Sequence, residues 1–409
     1  MIMVDHKYLP RGGVKLKILH LVSAFFPEYS GHTTRLYNIL SSLPYEILLI
    51  TLDRTFMGNI IELKEEYFNN IRVKRIPLYS NNTFFRMVPL RYIHTIYQKP
   101  KILVNAAKSE QFDIIHAHNP SLFAQAAEKL SRKSNKPFII ELHALGQDYM
   151  IGIKGAIDSF YAERMAKKLL TSCNHIITLT QVQKNWFSSR YKVQDDKITV
   201  VPNGADTNIF SPRIEYKKRV GELKERLNLF DNVIMYAGHM DRINGMIDLV
   251  KIIPSIIAEK PDTSFVFIGH GPEEDRIIAC SKKYPQVKFL PMVHYDEMPI
   301  YYQMCDLFVI PRPSTISAET VTPLKLLEVM AMEKPVLGSN VGGIAEVIRH
   351  GENGYLFEKG NMESFKKMLL EVLDADSRQI GRNARRTIVE NYTWDKSAKI
   401  LQQVYEELV

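Results

Sequence analysis

The sequence predicts an α/β protein made of two doubly wound domains with parallel sheets. Three observations carry the prediction. Short apolar runs alternate with helical stretches along most of the chain, the pattern of strand–helix–strand units. The alternation pauses in a charged stretch, 211–232, and then starts again. At 409 residues the chain is long for one hydrophobic core and ample for two.

In the first half the strands read "LKILHLV" (16–22), "EILLITL" (46–52), "VKRIPL" (73–78), "DIIHAH" (113–118), "PFIIELH" (137–143), "HIITLT" (175–180) and "ITVVPNG" (198–204). Helical segments at 33–42, 121–132 and 156–172 lie between them. The second set is "VIMYAGHM" (233–240), "SFVFIGHG" (264–271), "VKFLPM" (287–292), "LFVIPRP" (307–313) and "PVLGSN" (335–340). A first domain over 1–205, a linker over 206–225 and a second domain over 226–392 follow. The last helix carries apolar residues at helical spacing and packs. Open parallel sheets bind ligands beyond the carboxyl ends of their strands, so a site in the cleft between the domains is expected.

The totals narrow the class of function. A 45% hydrophobic and 24% charged composition is that of an ordinary globular protein. No apolar run approaches the roughly 18–20 residues that span a bilayer. The N-terminus shows no signal-peptide pattern. Three scattered cysteines fit neither a disulfide framework nor a cysteine metal site, and a reducing cytoplasm is expected. Residues 1–200 hold 27 Lys+Arg against 16 Asp+Glu, whereas the rest is mildly acidic. The basic half reads either as solvated surface or as a face for an anionic membrane or lipid-linked acceptor. Nucleic acid is not expected, because no nucleic-acid motif accompanies the charge. The segment 84–109 mixes Arg86, Arg91, Lys99 and Lys101 with aromatics and reads as a membrane-interface or an ordinary surface helix.

The most specific stretch is "SAETVTPLKLLEVMAMEKPVLGSNVGG", 317–343. Thr322 is a good N-cap and Pro323 a good first helical residue, which places Lys325 at the third position. A cation there opposes the helix dipole by roughly 0.3–1 kcal/mol. A bound anion reverses the sign, because free amides and the ammonium then face it together. Glu328, one turn on, suits vicinal hydroxyls such as those of a ribose. The plainer alternative is a Lys325–Glu328 surface pair, worth about 0.2–0.5 kcal/mol.

"VTPLKLLEVMAMEKPVLGSNVGGIAEVI…GENGYLF" resembles the donor-nucleotide region of the family 4 (group 1, glycogen-synthase-like) glycosyltransferases of GT-B fold, in a variant with TPLK. "VVPNGADTNIFSP" (200–212), "FIGHGP" (267–272) and "YYQMCDLFVIPRPS" (301–314) match further pieces in order, over most of 15–395. The resemblance implies a nucleotide-diphosphate sugar held by the second domain and a glycan or lipid-linked acceptor held by the first. It also implies that the final helix, about 393–409, crosses back onto the first domain. It assigns Glu328 to the ribose, and Thr322 and Leu324 fall in the same motif. The family's sugar-contacting glutamate counts back to Thr320, with Glu319 one residue early; Glu319 is the expected contact.

Two departures concern the diphosphate. The family commonly places Arg after the first glycine of its loop and Lys before the second; here Gly238 is followed by His239, and Asn244 stands in the Lys position. Lys325, with Arg242 or Arg312, is expected to supply the charge. In the first domain Gly31 matches the family's glycine-rich loop, with Ser30 in place of a first glycine. His118 and His143 follow strands whose ends face the cleft, and are read as contacts to the donor sugar or acceptor hydroxyl or as structural hydrogen-bonders.

The expected activity is retaining hexosyl transfer in cell-surface glycan, polysaccharide or glycolipid synthesis, in the cytoplasm or peripherally at the inner membrane face. No metal or cofactor is expected. "DAD" at 374–376 lies at a helix end, not a strand end, and reads as a polar cluster. A sugar-nucleotide 2-epimerase of the same fold and a non-catalytic binding subunit are the competing readings.

Overall fold

The computed structural model describes residues 16–27, 30–53, 61, 65–77, 99–143 and 153–409. Arg86 and Arg91 of the basic segment, and 144–149 beyond His143, lie outside them. The chain divides into two compact units, Met1–Pro202 with Trp394–Val409, and Asn203–Thr393.

The first unit holds β1 (Lys17–Leu21), β2 (Glu46–Leu52), β3 (Glu65–Phe68), β4 (Ile71–Ile76), β5 (Ile114–His118), β6 (Phe138–Glu141), β7 (His175–Thr178) and β8 (Ile198–Val200). Their order across the sheet is β3-β4-β2-β1-β5-β6-β7-β8. All neighbours are parallel except β3 and β4. Strands buried on both faces need apolar side chains at every position, which is why "EILLITL" and "DIIHAH" read as runs. β3 escaped the sequence reading because it is an edge strand whose residues alternate between exposed and half-buried. It returns to β4 through the Asn69-Asn70 turn, with Asn69 at φ 51°.

The helix after β1, Gly31–Ser41, is capped by Ser30. Its Oγ accepts from the Thr33 amide at 3.2 Å, and its own amide donates to Thr33 Oγ1 at 2.9 Å. The final helix, Trp394–Glu406, belongs to the first unit. It buries Trp394, Ala398, Leu401, Val404 and Tyr405, and Ser397 donates to the Pro202 carbonyl at 2.8 Å.

The second unit has an all-parallel sheet in the order β11-β10-β9-β12-β13-β14. The strands are β9 (Asn232–His239), β10 (Thr263–His270), β11 (Val287–Leu290), β12 (Leu307–Ile310), β13 (Val336–Ser339) and β14 (Tyr355–Phe357). β14 is only three residues long and gave no periodic signal. The segment expected as a linker, 206–225, lies inside this unit. Phe210 and Leu223 anchor it in the core, and Tyr216–Arg226 is a helix. Its charge hid an apolar stripe, Tyr216, Val220, Leu223 and Leu227, that packs on the core. Among the described residues no helix is long and apolar enough to cross a membrane.

Candidate active site

In the second unit the polar cluster gathers where β9, β10 and β12 end. The helix Leu324–Ala331 begins later than its sequence predicts. Pro323 is the N-cap, with φ −72° and ψ 137° and no side-chain cap bond, so Lys325 is the second helical residue, not the third. Thr322 does not cap: the residue before a proline is driven to extended backbone, and its carbonyl accepts from Asn203 Nδ2 at 2.8 Å.

Lys325 does not pair with Glu328, and neither sits on the surface. The Lys325 ammonium donates to the Tyr236 hydroxyl at 2.9 Å and makes no ion pair among the described residues. Gly238 leaves it room: with φ 127°, a Cβ there would lie 2.4 Å from Nζ. Burial, and then the charge of Arg312, pull the Lys325 pKa down to about 7, while Asp241 and Glu328 oppose the fall. Arg312 is held by Asn244 Oδ1 and the Val321 carbonyl, both at 3.3 Å. Asn244 in turn donates to Asp241 Oδ1 at 2.8 Å. The asparagine standing where the family has lysine therefore orients an arginine. Arg242, by contrast, points to solvent.

Glu328 is 8% exposed, and its two oxygens accept from Tyr295 at 3.3 Å and Tyr302 at 3.1 Å. Burial raises its pKa to about 7 against the pull of both tyrosines and Lys325. Glu319 is engaged on three sides: by Ser314 at 2.6 Å, Lys359 at 2.7 Å and the Gly342 amide at 2.8 Å. Partial burial pushes its pKa up, and those three donors outweigh that and leave it below the ordinary carboxylate value. Thr320 points inward, its hydroxyl on the Ile316 carbonyl at 2.7 Å. Leu324 opens the helix and is half-buried. The two acids of 374–376 are engaged by Lys260 and Arg378.

In the first unit Gly31 is the first helical residue behind the Ser30 cap. Beyond it, histidines from β1, from β5 and from just past β6 meet in a buried chain. His118 Nδ1 lies 2.7 Å from His143 Nε2, and His118 Nε2 lies 3.1 Å from His20 Nδ1. His20 Nε2 is 3.2 Å from the Tyr405 hydroxyl, which is 2.7 Å from His116 Nδ1. Glu141 sits beside both ends, 3.3 Å from His143 Nε2 and 3.5 Å from His116 Nε2. Arg35, 2% exposed, donates to Glu141 at 2.8 Å and to the carbonyls of Val201 and Pro202. Burial holds all these histidines well below their ordinary pKa, His20 at about 3. His32 joins them with its ring 4.2 Å from that of His143 and its pKa lowered to about 4 by burial and Arg35.

Both nitrogens of His118 are engaged inside this chain. His143 Nδ1 makes no hydrogen bond among the described residues. Two triads, His20–His116–His118 and His118–Glu141–His143, bring ligand atoms within 4.8 Å. The 2.7 Å His118–His143 separation is hydrogen-bond spacing, shorter than the roughly 3.3 Å between ligands of a tetrahedral zinc. Arg35 also shares the carboxylate.

Sequence reasoning missed His20, His32, Arg35, His116, Glu141, Tyr236, Tyr295, Tyr302 and Tyr405. The one available signal was the crowding of histidines at strand ends in "ILHL", "IIHAH" and "IIELH".

Two α/β units built on parallel sheets are the architecture of the GT-B fold, which solved structures of similar shape share. Residues 32–209 match the model of Glycosyltransferase Family 4, and residues 231–375 that of Glycosyl transferases group 1. The chain belongs to this family. It is 24% identical to alpha-monoglucosyldiacylglycerol synthase of Acholeplasma laidlawii, over 85% of each chain. Sucrose-phosphate synthase from Thermosynechococcus elongatus has a similar structure, with TM-score 0.73 at 18% identity over 96% of this chain and 99% of that one. Anabaena HepE in complex with UDP-glucose has TM-score 0.71 at 18% identity over the same shares.

Proposed function

We propose that this glycosyltransferase is a retaining enzyme that uses a nucleoside-diphosphate sugar, with a uridine nucleotide as the first to test. The observation that carries the reading is Lys325: a half-buried amine at a helix start, without a carboxylate partner among the described residues and beside a second cation, Arg312. An arriving diphosphate would supply the missing charge. The solved neighbour HepE, whose structure holds UDP-glucose, supports the choice of nucleotide.

In this reading Glu328, held by Tyr295 and Tyr302, receives the ribose hydroxyls. Glu319 meets the sugar through lone pairs left by its three donors. The bond to the diphosphate breaks ahead of attack, and Lys325 and Arg312 stabilise charge growing on the leaving phosphate. The acceptor hydroxyl attacks from the same face and its proton passes to that phosphate. No step calls for a metal. Glycan or glycolipid acceptors at the inner membrane face fit the basic first half and the relative from Acholeplasma, named alpha-monoglucosyldiacylglycerol synthase.

Thermal shift with UDP, GDP, ADP and their sugars would identify the base, and NMR of the product's anomeric centre would test retention. An inverted product sinks the retaining assignment. Turnover of the donor to an epimer without acceptor would install the epimerase reading, and no turnover of any donor would install the binding-subunit reading. Vesicle co-sedimentation that fails even at low salt would remove the membrane.

A further inference from the structure

The histidine chain of the first unit has a direction, and that direction decides what its open end offers to a substrate. Each of its four links, His116 to Tyr405, Tyr405 to His20, His20 to His118 and His118 to His143, spans 2.7 to 3.2 Å. A link of that length holds one proton: two protons clash, and none sets two lone pairs against each other. The histidines are held neutral by burial, so each ring carries one N–H. One proton per ring and one per link leave two arrangements, in which every link points the same way.

Glu141 chooses between them. If all four histidines carry the proton on Nδ1, the bare Nε2 lone pairs of His116 and His143 face the carboxylate at 3.5 and 3.3 Å. Such contacts are repulsive in a buried site. If all four carry it on Nε2, every link is satisfied from His143 through His118, His20 and Tyr405 to His116, and Glu141 has protonated nitrogens as its neighbours. The His143 N–H, given to His118 at 2.7 Å, passes 3.3 Å from the carboxylate, and His116 Nε2–H, which makes no hydrogen bond among the described residues, lies 3.5 Å from it. Arg35, bonded to the same carboxylate, keeps it an acceptor.

We propose that Glu141 and Tyr405 are positioning residues that fix all four histidines as Nε2–H tautomers, leaving His143 Nδ1 as a hydrogen-bond acceptor for a substrate hydroxyl. This rests on the proposed transfer reaction, in which a sugar or acceptor hydroxyl meets the first unit. His143 receives a hydroxyl proton in a hydrogen bond and cannot donate one from Nδ1. The site therefore favours a hydroxyl over an acceptor-only group, such as a methyl ether, at the same position. Tyr405 comes from the last helix, so the C-terminal segment takes part in setting the site.

The test uses the full chain labelled with nitrogen-15 in histidine, at pH 7.5 and without substrate, with two-bond nitrogen–proton spectra assigned through single histidine variants. In the wild type, His20, His116, His118 and His143 are expected to show a protonated Nε2 and a bare Nδ1. A protonated Nδ1 or a mixture at His143 overturns the proposal. In Glu141→Gln, whose amide can donate as well as accept, His143 is expected to become a mixture, and kcat for transfer to fall on the order of tenfold or more with the donor KM little changed. An unchanged His143 in that variant overturns the role of Glu141. Tyr405→Phe cuts the chain between His116 and His20, so His116, left with only its 3.5 Å contact to Glu141, is expected to become a mixture, while His20, His118 and His143 stay tied by their one-proton links and keep Nε2–H. If His116 does not change, Tyr405 has no such role. Should Glu141→Gln fail to fold, the wild-type and Tyr405→Phe spectra still decide. The spectra need no turnover: fixed Nε2–H tautomers in a chain that transfers no sugar would sink the transferase reading and leave the direction standing.

Discussion

The two polar clusters of this chain solve opposite electrostatic problems at equivalent places, the carboxyl ends of parallel strands. In the first unit four histidines are buried together with a half-buried fifth, His32, against them; all are driven neutral, and Glu141, the carboxylate beside them, is already matched by Arg35. In that cluster the links from His143 through His118, His20 and Tyr405 to His116 close on each other, and His143 Nδ1 stays open. In the second unit Lys325 sits beside Arg312 with no carboxylate on it among the described residues, and its pKa is pulled down to about 7. In the proposed reading an arriving diphosphate completes that cluster. The difference teaches that one sheet end is built to hold protons in place and the other to wait for charge.

The largest expected effect breaks the second cluster. Lys325→Ala should lower transfer by about two to three orders of magnitude, as removal of a transition-state charge donor does. UDP should then give little thermal shift, whereas the ligand-free melting temperature should hold or rise, because a desolvated amine has been removed. Full activity in Lys325→Ala would remove the cation role.

Acid comes next and separates the units. Histidines with folded pKa values below the unfolded 6.5 bind fewer protons when folded. They contribute full stability above pH 6.5 and lose it as pH falls below that value toward their folded pKa. Each contributes a slope of about 1.4 kcal/mol per pH unit in that window. Glu328 has the opposite sign: with its pKa raised from 4.5 to about 7, the stability it removes at neutral pH is restored as pH falls from 7 toward 4.5. Hydrogen exchange read by mass spectrometry at pH 7.5 and 5.5 should therefore show protection falling in β1, β5 and β6 more than in β9 and β12. Equal losses would erase the contrast.

A smaller effect is expected at Tyr302→Phe, which frees one oxygen of Glu328. Nucleotide affinity should fall about threefold to tenfold by titration calorimetry, with no change in the donor sugar preferred. The smallest is at Arg242→Ala. An exposed arginine with no side-chain partner among the described residues should leave stability within about 0.5 kcal/mol, and donor KM within threefold. A tenfold rise in KM would add Arg242 to the cations of the second cluster.

Legibility in the sequence followed the range of the physics. The alternation of apolar runs showed both sheets because strand and helix periods are local, and it failed at β3 and β14, where an edge position or three residues leave no period. The linker was misjudged for a related reason: Lys217, Lys218, Arg219, Glu222, Lys224 and Glu225 dominate the count around Val220 and Leu223. The cation at a helix start was legible from the dipole rule alone, although the cap was placed one residue early because the extended backbone of Pro323 was not foreseen.

What the sequence by itself determined is the class of the molecule, two parallel α/β domains, and one anomalous residue, Lys325. What only the tertiary structure decided is the company each site residue keeps. Lys325 meets Tyr236 from 89 positions away, and His20 meets Tyr405 from 385 positions away. Such pairs follow from the sheet order that sets β1 beside β5 and β5 beside β6, and from the return of the last helix. No local pattern encodes them, because a hydrogen bond depends on distance in space and periodicity only on distance along the chain.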